Sequence, residues 1–336
     1  MDSNQELTRL LKSAIRLHHD LSPNFVPVVN TVPTAVQFLR QVNSNQPIVY
    51  AASAFQWPAL DANSDHRWSR KYLLSAMKDA IIPVTETPLG NADAPLDGKV
   101  FVQPHMSLMK FEDFMCKLLD PNDSTVYYMQ SQNNNMATEF PQLADDVEMG
   151  IPWASEALGS NPEAVNIWIG GGESITSLHK DHYENLHVQI LGKKIFKLIA
   201  PVEHICVKET MLEQATYVKT DCGFEIKRDE EAGKVPWPTM DPDGNSRDHI
   251  DKKDKDEWGQ NCRILEVVLN PGDILYLPAL WYHKVSQVAD DDGLCCSVNL
   301  WYDMDFSGPL WPYMNFVRNF SRHLVGEKEF KDLDDL

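Results

Sequence analysis

Three side chains of this 336-residue sequence have the types and the spacing of a metal site. His179 and Asp181 lie two positions apart in the segment TSLHKDHYENL, so on a β-strand their side chains share one face. A third ligand would come from a neighbouring strand, and His283, at the end of the apolar segment DILYLPALWYH, is the candidate. Imidazole and carboxylate groups in this pattern predict that one divalent ion binds to the three residues.

The ligand set indicates what such a site does. Two histidines and one carboxylate occupy one face of an octahedron and leave the other face open, as in non-haem Fe(II) oxygenases. The open positions let a co-substrate and dioxygen bind together. An HxD tripeptide by itself is a weak signal, so the prediction depends on the β-rich segments around it. Two nearby histidines, His182 and His187, are expected to support the site or the fold at most.

The segments around these residues predict a mainly β fold with helical additions. Short apolar runs separated by Gly, Pro and Asn turn signals begin near residue 125, which is typical of an antiparallel sandwich or barrel. Helical periodicity occupies residues 7–21 before this region. Thr34 is expected to cap a second helix, and Ser107 to cap another that reaches about Leu119.

The sequence predicts one domain. Residues 1–124 are expected to form helices and strands that buttress the core, residues 125–307 the β-rich core, and residues 308–336 a C-terminal helix. Within the core, residues 221–262 are polar and acidic, contain proline and lack periodicity. This composition predicts an irregular surface insertion between two strands.

Composition excludes several classes of function. Asp and Glu total 49 against 30 Lys and Arg, a formal net charge of -19, which argues against a nucleic-acid partner. No apolar run approaches the roughly 20 residues of a membrane span, and the N-terminal segment does not have the pattern of a signal peptide. The six cysteines form no CxxC pair, so we expect a reduced intracellular protein, in the cytoplasm and with the nucleus as a second location.

Three segments carry a family resemblance: PWASEALG (152–159), TSLHKDHYENL (176–186) and YLPALWYHKV (276–285). They resemble the JmjC class of 2-oxoglutarate- and Fe(II)-dependent oxygenases, and within it the small JmjC hydroxylases. The resemblance covers nearly the whole chain and is weakest across residues 221–262. It implies a double-stranded β-helix core (a jelly roll, cupin-like) with N- and C-terminal helices, with Fe(II) as cofactor and with 2-oxoglutarate and dioxygen as co-substrates.

The resemblance also assigns charged residues of the site. The family's metal ligands fall on His179, Asp181 and His283. The family's basic residue for the distal (C5) carboxylate of 2-oxoglutarate falls on Lys194 rather than on Lys193. An ammonium group is a suitable point charge for a carboxylate.

Hydroxyl and amide side chains complete the implied co-substrate site. Thr176 and Tyr128 match the hydroxyl groups that bind the same carboxylate. Tyr127 and Tyr128 would point to opposite faces of an extended segment, so the choice between these two tyrosines stays open. Asn185 and Asn299 match amides near the metal and the co-substrate, with ordinary turn or strand-end hydrogen bonding as the alternative role.

The implied activity is hydroxylation of a lysine, at its 3S position, in a protein substrate. The resemblance implies developmentally regulated GTPases of the translation machinery as the substrates. A histone-directed JmjC demethylase is an alternative, although the sequence has no reader fingers or basic patches. Peptidase activity has no Ser, Cys or HExxH constellation to support it. A catalytically silent cupin-type binding module is a further alternative, which the presence of all three ligands and Lys194 disfavours.

The C-terminal segment carries an apolar stripe at helical spacing. The stripe consists of Leu310, Met314, Val317 and Leu324. Since the resemblance implies that terminal helices of this kind dimerise, we expect a homodimer through this helix. The alternative is that the stripe packs on its own barrel.

Overall fold

The computed structural model describes residues 3–54, 56–244, 258 and 262–326. The helices of this part are α1 (Ser3–Leu21), α2 (Ala35–Ser44), α3 (Arg70–Met77), α4 (Phe111–Leu118), α5 (Asn135–Thr138), α6 (Pro152–Leu158) and α7 (Leu310–Val325), with 3₁₀ helices at Pro141–Asp146 and Pro201–Val207. None of the helices described here is long and apolar enough to span a bilayer. Strands supply the rest of the regular structure.

The strands are β1 (Val28–Val29), β2 (Ile48–Tyr50), β3 (Ile81–Thr87), β4 (Asn91–Ala92), β5 (Ala94–Leu96), β6 (Val100–Gln103), β7 (His105–Lys110), β8 (Val126–Met129), β9 (Ala164–Gly170), β10 (Ile175–His179), β11 (Tyr183–Leu191), β12 (Lys193–Ile199), β13 (Glu209–Thr220), β14 (Gly223–Arg228), β15 (Lys234–Pro238), β16 (Leu265–Leu269), β17 (Ile274–Leu277), β18 (Tyr282–Val288) and β19 (Cys295–Asp303). The largest sheet has the order β1-β2-β17-β11-β19-β9-β8-β3-β7. A smaller sheet has the order β16-β12-β18-β10-β4, and most neighbours in both are antiparallel. With the helices at both ends, this confirms the predicted jelly-roll core with helical additions.

The two faces of the larger sheet have different neighbours. Leu186, Val188 and Leu300 belong to the main apolar core, which they share with side chains of α2, α3, α4 and α6. The alternate positions of β11 and β19 carry the buried polar side chains Asn185, His187, Gln189, Ser297 and Asn299. Because successive side chains of a strand point to opposite faces, these polar groups lie on the face turned away from the helices. β11 and β19 therefore contribute polar groups to the interior of the barrel.

Short-range hydrogen bonds explain where some helices begin. Thr34 and Gln37 form a capping box at the start of α2: the Gln37 amide N–H donates to Thr34 Oγ1 (3.3 Å), and Gln37 Oε1 accepts from the Thr34 N–H (2.8 Å). The predicted cap at Ser107 is wrong. Ser107 lies in β7, where its hydroxyl donates to Glu86 of β3, and α4 begins only at Phe111. The backbone N–H and C=O groups of this segment form their hydrogen bonds with β3, so the segment is a strand rather than a helix.

The polar stretch 221–262 contains regular structure that its sequence did not predict. Both β14 and β15 pair with β13, in a third sheet that also includes β6 and β5. The prediction of an irregular insertion is therefore wrong for these two strands. Most of β14 is exposed, so it shows no apolar alternation, and backbone pairing with the long strand β13 determines its conformation. Residues 245–257 and 259–261 of the stretch lie outside the described residues.

The predicted C-terminal stripe packs on its own chain. Val317 is buried beside Leu11 and Ile15 of α1, with Leu324 at the edge of the same cluster. Nearer the start of α7, the two earlier members of the stripe, Leu310 and Met314, pack with Ala279, Leu280 and Met304. The stripe thus packs within its own chain, as the alternative interpretation predicted. A dimer through α7 stays a prediction.

Candidate metal centre

Two paired strands and the loop after one of them bring the three predicted ligands together. In the antiparallel pair β10–β18, His179 lies directly opposite His283, after an irregularity in the register, and their ring centroids are 4.1 Å apart. Asp181 follows the end of β10, where its carbonyl accepts a 2.7 Å hydrogen bond from the Leu280 N–H. Asp181 Oδ2 lies 3.6 Å from Nε2 of each histidine. The three donor atoms therefore converge on one point.

Hydrogen bonds orient the two imidazoles. Nδ1 of His179 donates to the Ser177 carbonyl at 2.8 Å, and Nδ1 of His283 donates to the Trp281 carbonyl at 3.0 Å. Since a carbonyl oxygen only accepts, each Nδ1 carries the proton and each Nε2 presents its lone pair towards Asp181. Metal-binding histidines are typically held by such bonds from the other ring nitrogen. Metal bonds to nitrogen and oxygen are about 2 Å long, so donor atoms 3.6 Å apart can bind the same divalent ion.

The charges of the three ligands are coupled. Burial acts to raise the pKa of Asp181, but the two imidazoles outweigh it and hold this pKa at about 2. Burial and the nearby His179 lower the pKa of His283 to about 4. At neutral pH the site therefore contains a carboxylate and at least one neutral imidazole, which are the forms that bind a metal ion.

Lys194 lies deeper in the barrel and is 3% exposed. Its Nζ donates to Tyr128 Oη at 3.2 Å and lies 5.5 Å from the ring centroid of Trp168. Burial lowers the pKa of Lys194 to about 8. Tyr127 points elsewhere, and its hydroxyl donates to Asp123 Oδ2 at 2.7 Å. Of the two candidate tyrosines, the structure thus brings Tyr128 to the lysine.

The remaining predicted residues face the same interior. Thr176 is half-buried and pairs with Val285, which shares a face of β18 with His283, so its side chain lies on the side of the metal ligands. Asn185 and Asn299 are buried on neighbouring strands of the larger sheet, where Asn299 Nδ2 lies 3.5 Å from Asn185 Oδ1. All the predicted site residues therefore line one interior.

Polar atoms without a partner gather in this interior. Within the described residues, the buried atoms of β11 and β19 without a hydrogen-bond partner are His187 Nε2, Gln189 Oε1, Ser297 Oγ and Trp301 Nε1. An unpaired buried polar group costs on the order of 1–3 kcal/mol, so this set fits a polar ligand. His187 is more central than its sequence suggested. Burial, together with the charges of Lys194 and His283, lowers its pKa well below the usual range and keeps it neutral.

A glycine keeps part of this interior open. A Cβ added at Gly170 would lie 2.7 Å from Tyr128 and 2.8 Å from Gln287 and Ser174. Real side chains do not tolerate such distances, so Gly170 is needed for the close approach of β9 to Tyr128. The sequence shows a glycine-rich turn at residues 170–172, but it does not show that β9 passes beside a buried lysine site.

A cleft of about 570 Å³ opens over the metal ligands. Trp237 of β15 lies parallel to the His179 ring at 6.4 Å, and Phe306 and Trp311 contribute further aromatic surface. The Lys, Arg, Asp and Glu side chains of the lining are Lys180, Lys234, Arg318, Asp181 and Glu209. The acidic surplus of the chain is therefore not concentrated at this cleft. Trp237 was missed because it lies in the stretch predicted to be irregular, where the triplet Pro-Trp-Pro was its one signal.

Comparison with known proteins identifies the family. Residues 33–308 match the cupin-like domain. The human protein named bifunctional peptidase and (3S)-lysyl hydroxylase JMJD7 is 36% identical over 288 residues, which cover 84% of this chain and 86% of that protein. The chain belongs to the cupin-like JmjC family. A JmjC relative from Arabidopsis thaliana, lysine-specific demethylase JMJ32, is 34% identical over 299 residues, 85% of this chain and 84% of that protein.

A third JmjC relative is JmjC domain-containing protein E of Dictyostelium discoideum, 29% identical over 325 residues and 89% of each chain. Membership of the JmjC family confirms the resemblance inferred from the sequence. It supports a dioxygenase-type oxidoreductase, because JmjC proteins generally use Fe(II) and 2-oxoglutarate. The human and Arabidopsis relatives have names that specify different reactions of lysine, so the names alone do not determine the reaction of this chain.

Proposed function

We propose that this JmjC protein is an Fe(II)- and 2-oxoglutarate-dependent oxygenase. The observation that carries the proposal is the combination of a His-Asp-His donor set with a buried ammonium and a tyrosine hydroxyl in the same polar interior. A ferrous ion bound by the three donors would supply the redox chemistry that activates dioxygen at the expense of 2-oxoglutarate. The protein's own residues bind and orient the reactants and exclude water.

The positions of the side chains suggest how 2-oxoglutarate binds. Lys194 and Tyr128 bind its distal carboxylate by a charge-assisted and a neutral hydrogen bond, and Thr176 adds a second hydroxyl from the facing strand. The unpaired atoms of His187 and Gln189 offer further polar contacts along the interior. The keto-acid end then lies toward the metal ligands, with the aromatic cleft left for the substrate.

We further propose that the substrate is a lysine side chain of a protein, and that the product is a hydroxylated lysine. The names of the human and Arabidopsis relatives both refer to lysine, and that of the human relative to (3S)-lysyl hydroxylation. Trp237, Phe306 and Trp311 provide ring faces at which an ammonium group is stabilised by cation–π interaction. Developmentally regulated GTPases are the candidate proteins that the family resemblance implies.

Demethylation is the second candidate, because the Arabidopsis relative is named a lysine-specific demethylase. Both reactions begin at a C–H bond of the lysine side chain. They differ in which carbon is presented to the metal, so the depth to which the cleft admits the side chain decides between them. The side chain of unmethylated lysine presents only methylene carbons to the metal. The side chain of N-methyl lysine also presents a methyl carbon, whose hydroxylation leads to formaldehyde.

The test uses matched peptides from a candidate GTPase, one with free lysine and one with N-methyl lysine. Each is incubated with the protein, Fe(II), ascorbate and 2-oxoglutarate, and peptide mass, succinate and formaldehyde are followed together. We expect one added oxygen on the unmethylated lysine, succinate in equal amount and no formaldehyde. His179→Ala, which removes one metal ligand, is the control and should form no product.

Other outcomes would contradict parts of the proposal. Formaldehyde from the methylated peptide alone would assign the chain to demethylation. Binding of either peptide without succinate formation, under conditions in which Fe(II) is bound, would instead support a silent binding module. Equal turnover by His179→Ala would show that the metal ligands are assigned wrongly.

A further inference from the structure

A second cluster of metal-binding side chains lies outside the JmjC site. Glu203 and Cys206 belong to the 3₁₀ helix Pro201–Val207, and Cys262 lies shortly before β16. Their ligand atoms all lie within 4.8 Å of one another. Glu203 is 1% exposed, Cys206 is fully buried and Cys262 is half-buried. None of the three lines the cleft over His179.

A fourth donor approaches the cluster from the N-terminal helix. His19 of α1 places Nε2 3.1 Å from Glu203 Oε1. That nitrogen is buried, and its orientation gives it no hydrogen bond within the part of the chain that the structure describes. The other carboxylate oxygen, Oε2, accepts a 2.7 Å hydrogen bond from the Arg263 N–H. Glu203 thus has one oxygen fixed by the backbone and one turned towards His19.

Without a cation, two groups of the cluster hold their protons more tightly than usual. Burial raises the pKa of Glu203 above its usual range. The neighbouring Cys206, burial and Glu203 together raise the pKa of the Cys262 thiol. The Cys206 thiol has a long contact of 3.5 Å to the Trp258 carbonyl, which a metal bond would replace. A divalent ion that binds here would displace the thiol protons and balance the charges of the thiolates and the carboxylate that hold it.

We propose that His19, Glu203, Cys206 and Cys262 form a second metal site that binds structural zinc. Zinc prefers four ligands of these types in a tetrahedron, with bonds of about 2.3 Å to sulfur and 2.0–2.2 Å to nitrogen and oxygen. Such bonds place neighbouring donor atoms about 3.5–3.8 Å apart. The ligand atoms of Glu203, Cys206 and Cys262 already lie within 4.8 Å of one another, and His19, which contacts Glu203, would move towards the two sulfurs to complete the tetrahedron. Four protein ligands close the coordination shell, so the ion has a structural role.

The proposed ion would join three parts of the chain. These are α1, the 3₁₀ helix Pro201–Val207, and the point at which the chain returns to the barrel after the polar stretch 221–262. The sequence does not reveal the site, because Cys206 and Cys262 are far apart and neither belongs to a CxxC pair. The fold brings them together, since β16 pairs with β12, the strand immediately before the 3₁₀ helix.

The test is titration of the reduced, metal-free, full-length protein with Co(II), which accepts the same ligands as zinc and is coloured. Sulfur ligands give a near-ultraviolet thiolate-to-metal band, which the sulfur-free His179 site cannot produce. We expect this band to appear with about one equivalent of Co(II). It should be unchanged in His179→Ala, so the result is independent of the proposed oxygenase activity.

Variants identify the ligands. Cys262→Ser removes one of the two thiolates, so the band should fall to about half its intensity or less, whereas Cys222→Ser, at an exposed cysteine, should keep it. His19→Ala keeps both sulfurs, so the band should remain while the visible spectrum shifts with the change of the fourth ligand. In the His179→Ala background, zinc should raise the melting temperature, and addition of Cys262→Ser should abolish that rise.

Three results would overturn the proposal. One is the absence of a thiolate band in the reduced protein, and another is a band of undiminished intensity in Cys262→Ser. The third is a disulfide-linked pair of Cys206 and Cys262 peptides in protein purified without oxidant, since these sulfurs would then be unable to bind zinc. His19→Ala retains both cysteines and serves as the second variant if Cys262→Ser does not fold.

Discussion

At the scale of single residues, Lys194 and Lys193 form a natural pair for experiment. They are adjacent on β12, but Lys194 is buried beside Tyr128 while Lys193 is exposed. Under the proposed function, Lys194→Met leaves a carboxylate of 2-oxoglutarate unpaired in a buried site, at a cost of about 2–5 kcal/mol. We expect the KM for 2-oxoglutarate to rise by roughly 30-fold or more in Lys194→Met and to stay within about twofold in Lys193→Met.

Steady-state succinate formation at varied 2-oxoglutarate measures both effects. The melting temperature without co-substrate is the control for folding, and it should not fall in Lys194→Met, because the buried ammonium is itself costly. A larger effect at Lys193 than at Lys194 would show that the register of the β11–β12 hairpin is shifted by one.

The same lysine predicts a pH dependence. Burial lowers the pKa of Lys194 to about 8, whereas a lysine in the unfolded chain has a pKa near 10.4. Between these pH values the unfolded chain binds more protons, so the contribution of Lys194 to stability rises with pH across this window, by on the order of 3 kcal/mol. Binding of 2-oxoglutarate has the opposite trend, since it needs the ammonium form that is lost above about pH 8.

Urea unfolding of the parent and of Lys194→Met, without co-substrate, isolates the first trend. The unfolding free energy of the parent minus that of Lys194→Met should increase between about pH 8 and pH 10. Meanwhile kcat/KM for 2-oxoglutarate should fall above about pH 8 in the parent. A flat difference in stability and a flat kcat/KM over this range would show that the lysine titrates normally.

At the scale of elements, a buried ion cluster fastens α7 to β13. Glu209 Oε1 accepts from Arg318 Nε at 2.9 Å and from Arg322 Nε at 3.0 Å, and all three side chains are buried. Burial acts to raise the pKa of Glu209, but the charges of His204, Arg318 and Arg322 hold it at about 2. The stabilisation is therefore present at neutral pH and is lost as pH falls from about 4.5 towards 2.

We expect Glu209→Gln to lower the free energy of unfolding by about 3–5 kcal/mol, because it removes the buried carboxylate to which both guanidinium groups donate. Glu213→Gln on the same strand is the matched control. Glu213 pairs with Arg228 at the surface, where loss of an ion pair costs less than about 1 kcal/mol. Urea unfolding at pH 7 measures both, and equal effects would show that burial of the cluster does not matter.

At the scale of the whole molecule, the open question is self-association through α7. The predicted stripe is used inside the chain, whereas Tyr313 and Phe316 of the same helix are exposed. A dimer through α7 must therefore use the exposed side of the helix. We expect sedimentation to show a dimer that the double variant Tyr313→Glu with Phe316→Glu converts to a monomer.

Asn319→Glu, at another exposed position of α7, is the matched control and should leave the dimer intact. These variants are preferable to truncation at Gly308, because truncation also removes Val317 and Arg318 from the core of the chain. A parent protein that sediments as a monomer at all concentrations would contradict the prediction.

The sequence by itself determined the features that depend on local spacing. The HxD pair at His179 and Asp181, the apolar runs of the strands and the cap at Thr34 are encoded within a few residues. The family resemblance added Lys194 and the expectation of a jelly roll. The alternation of β11 also shows that Asn185 and His187 share a face, but not which face is the interior.

Tertiary structure decided the features that depend on which strands meet. Tyr128 rather than Tyr127 contacts Lys194 because β8 joins β9, and no local signal distinguishes the two rings. Trp237 reaches His179 because β15, in the polar stretch, pairs with β13, and no apolar alternation in the sequence of β15 predicts this pairing. Contacts between distant segments are set by register and by the packing of sheets, which a short window of sequence does not contain.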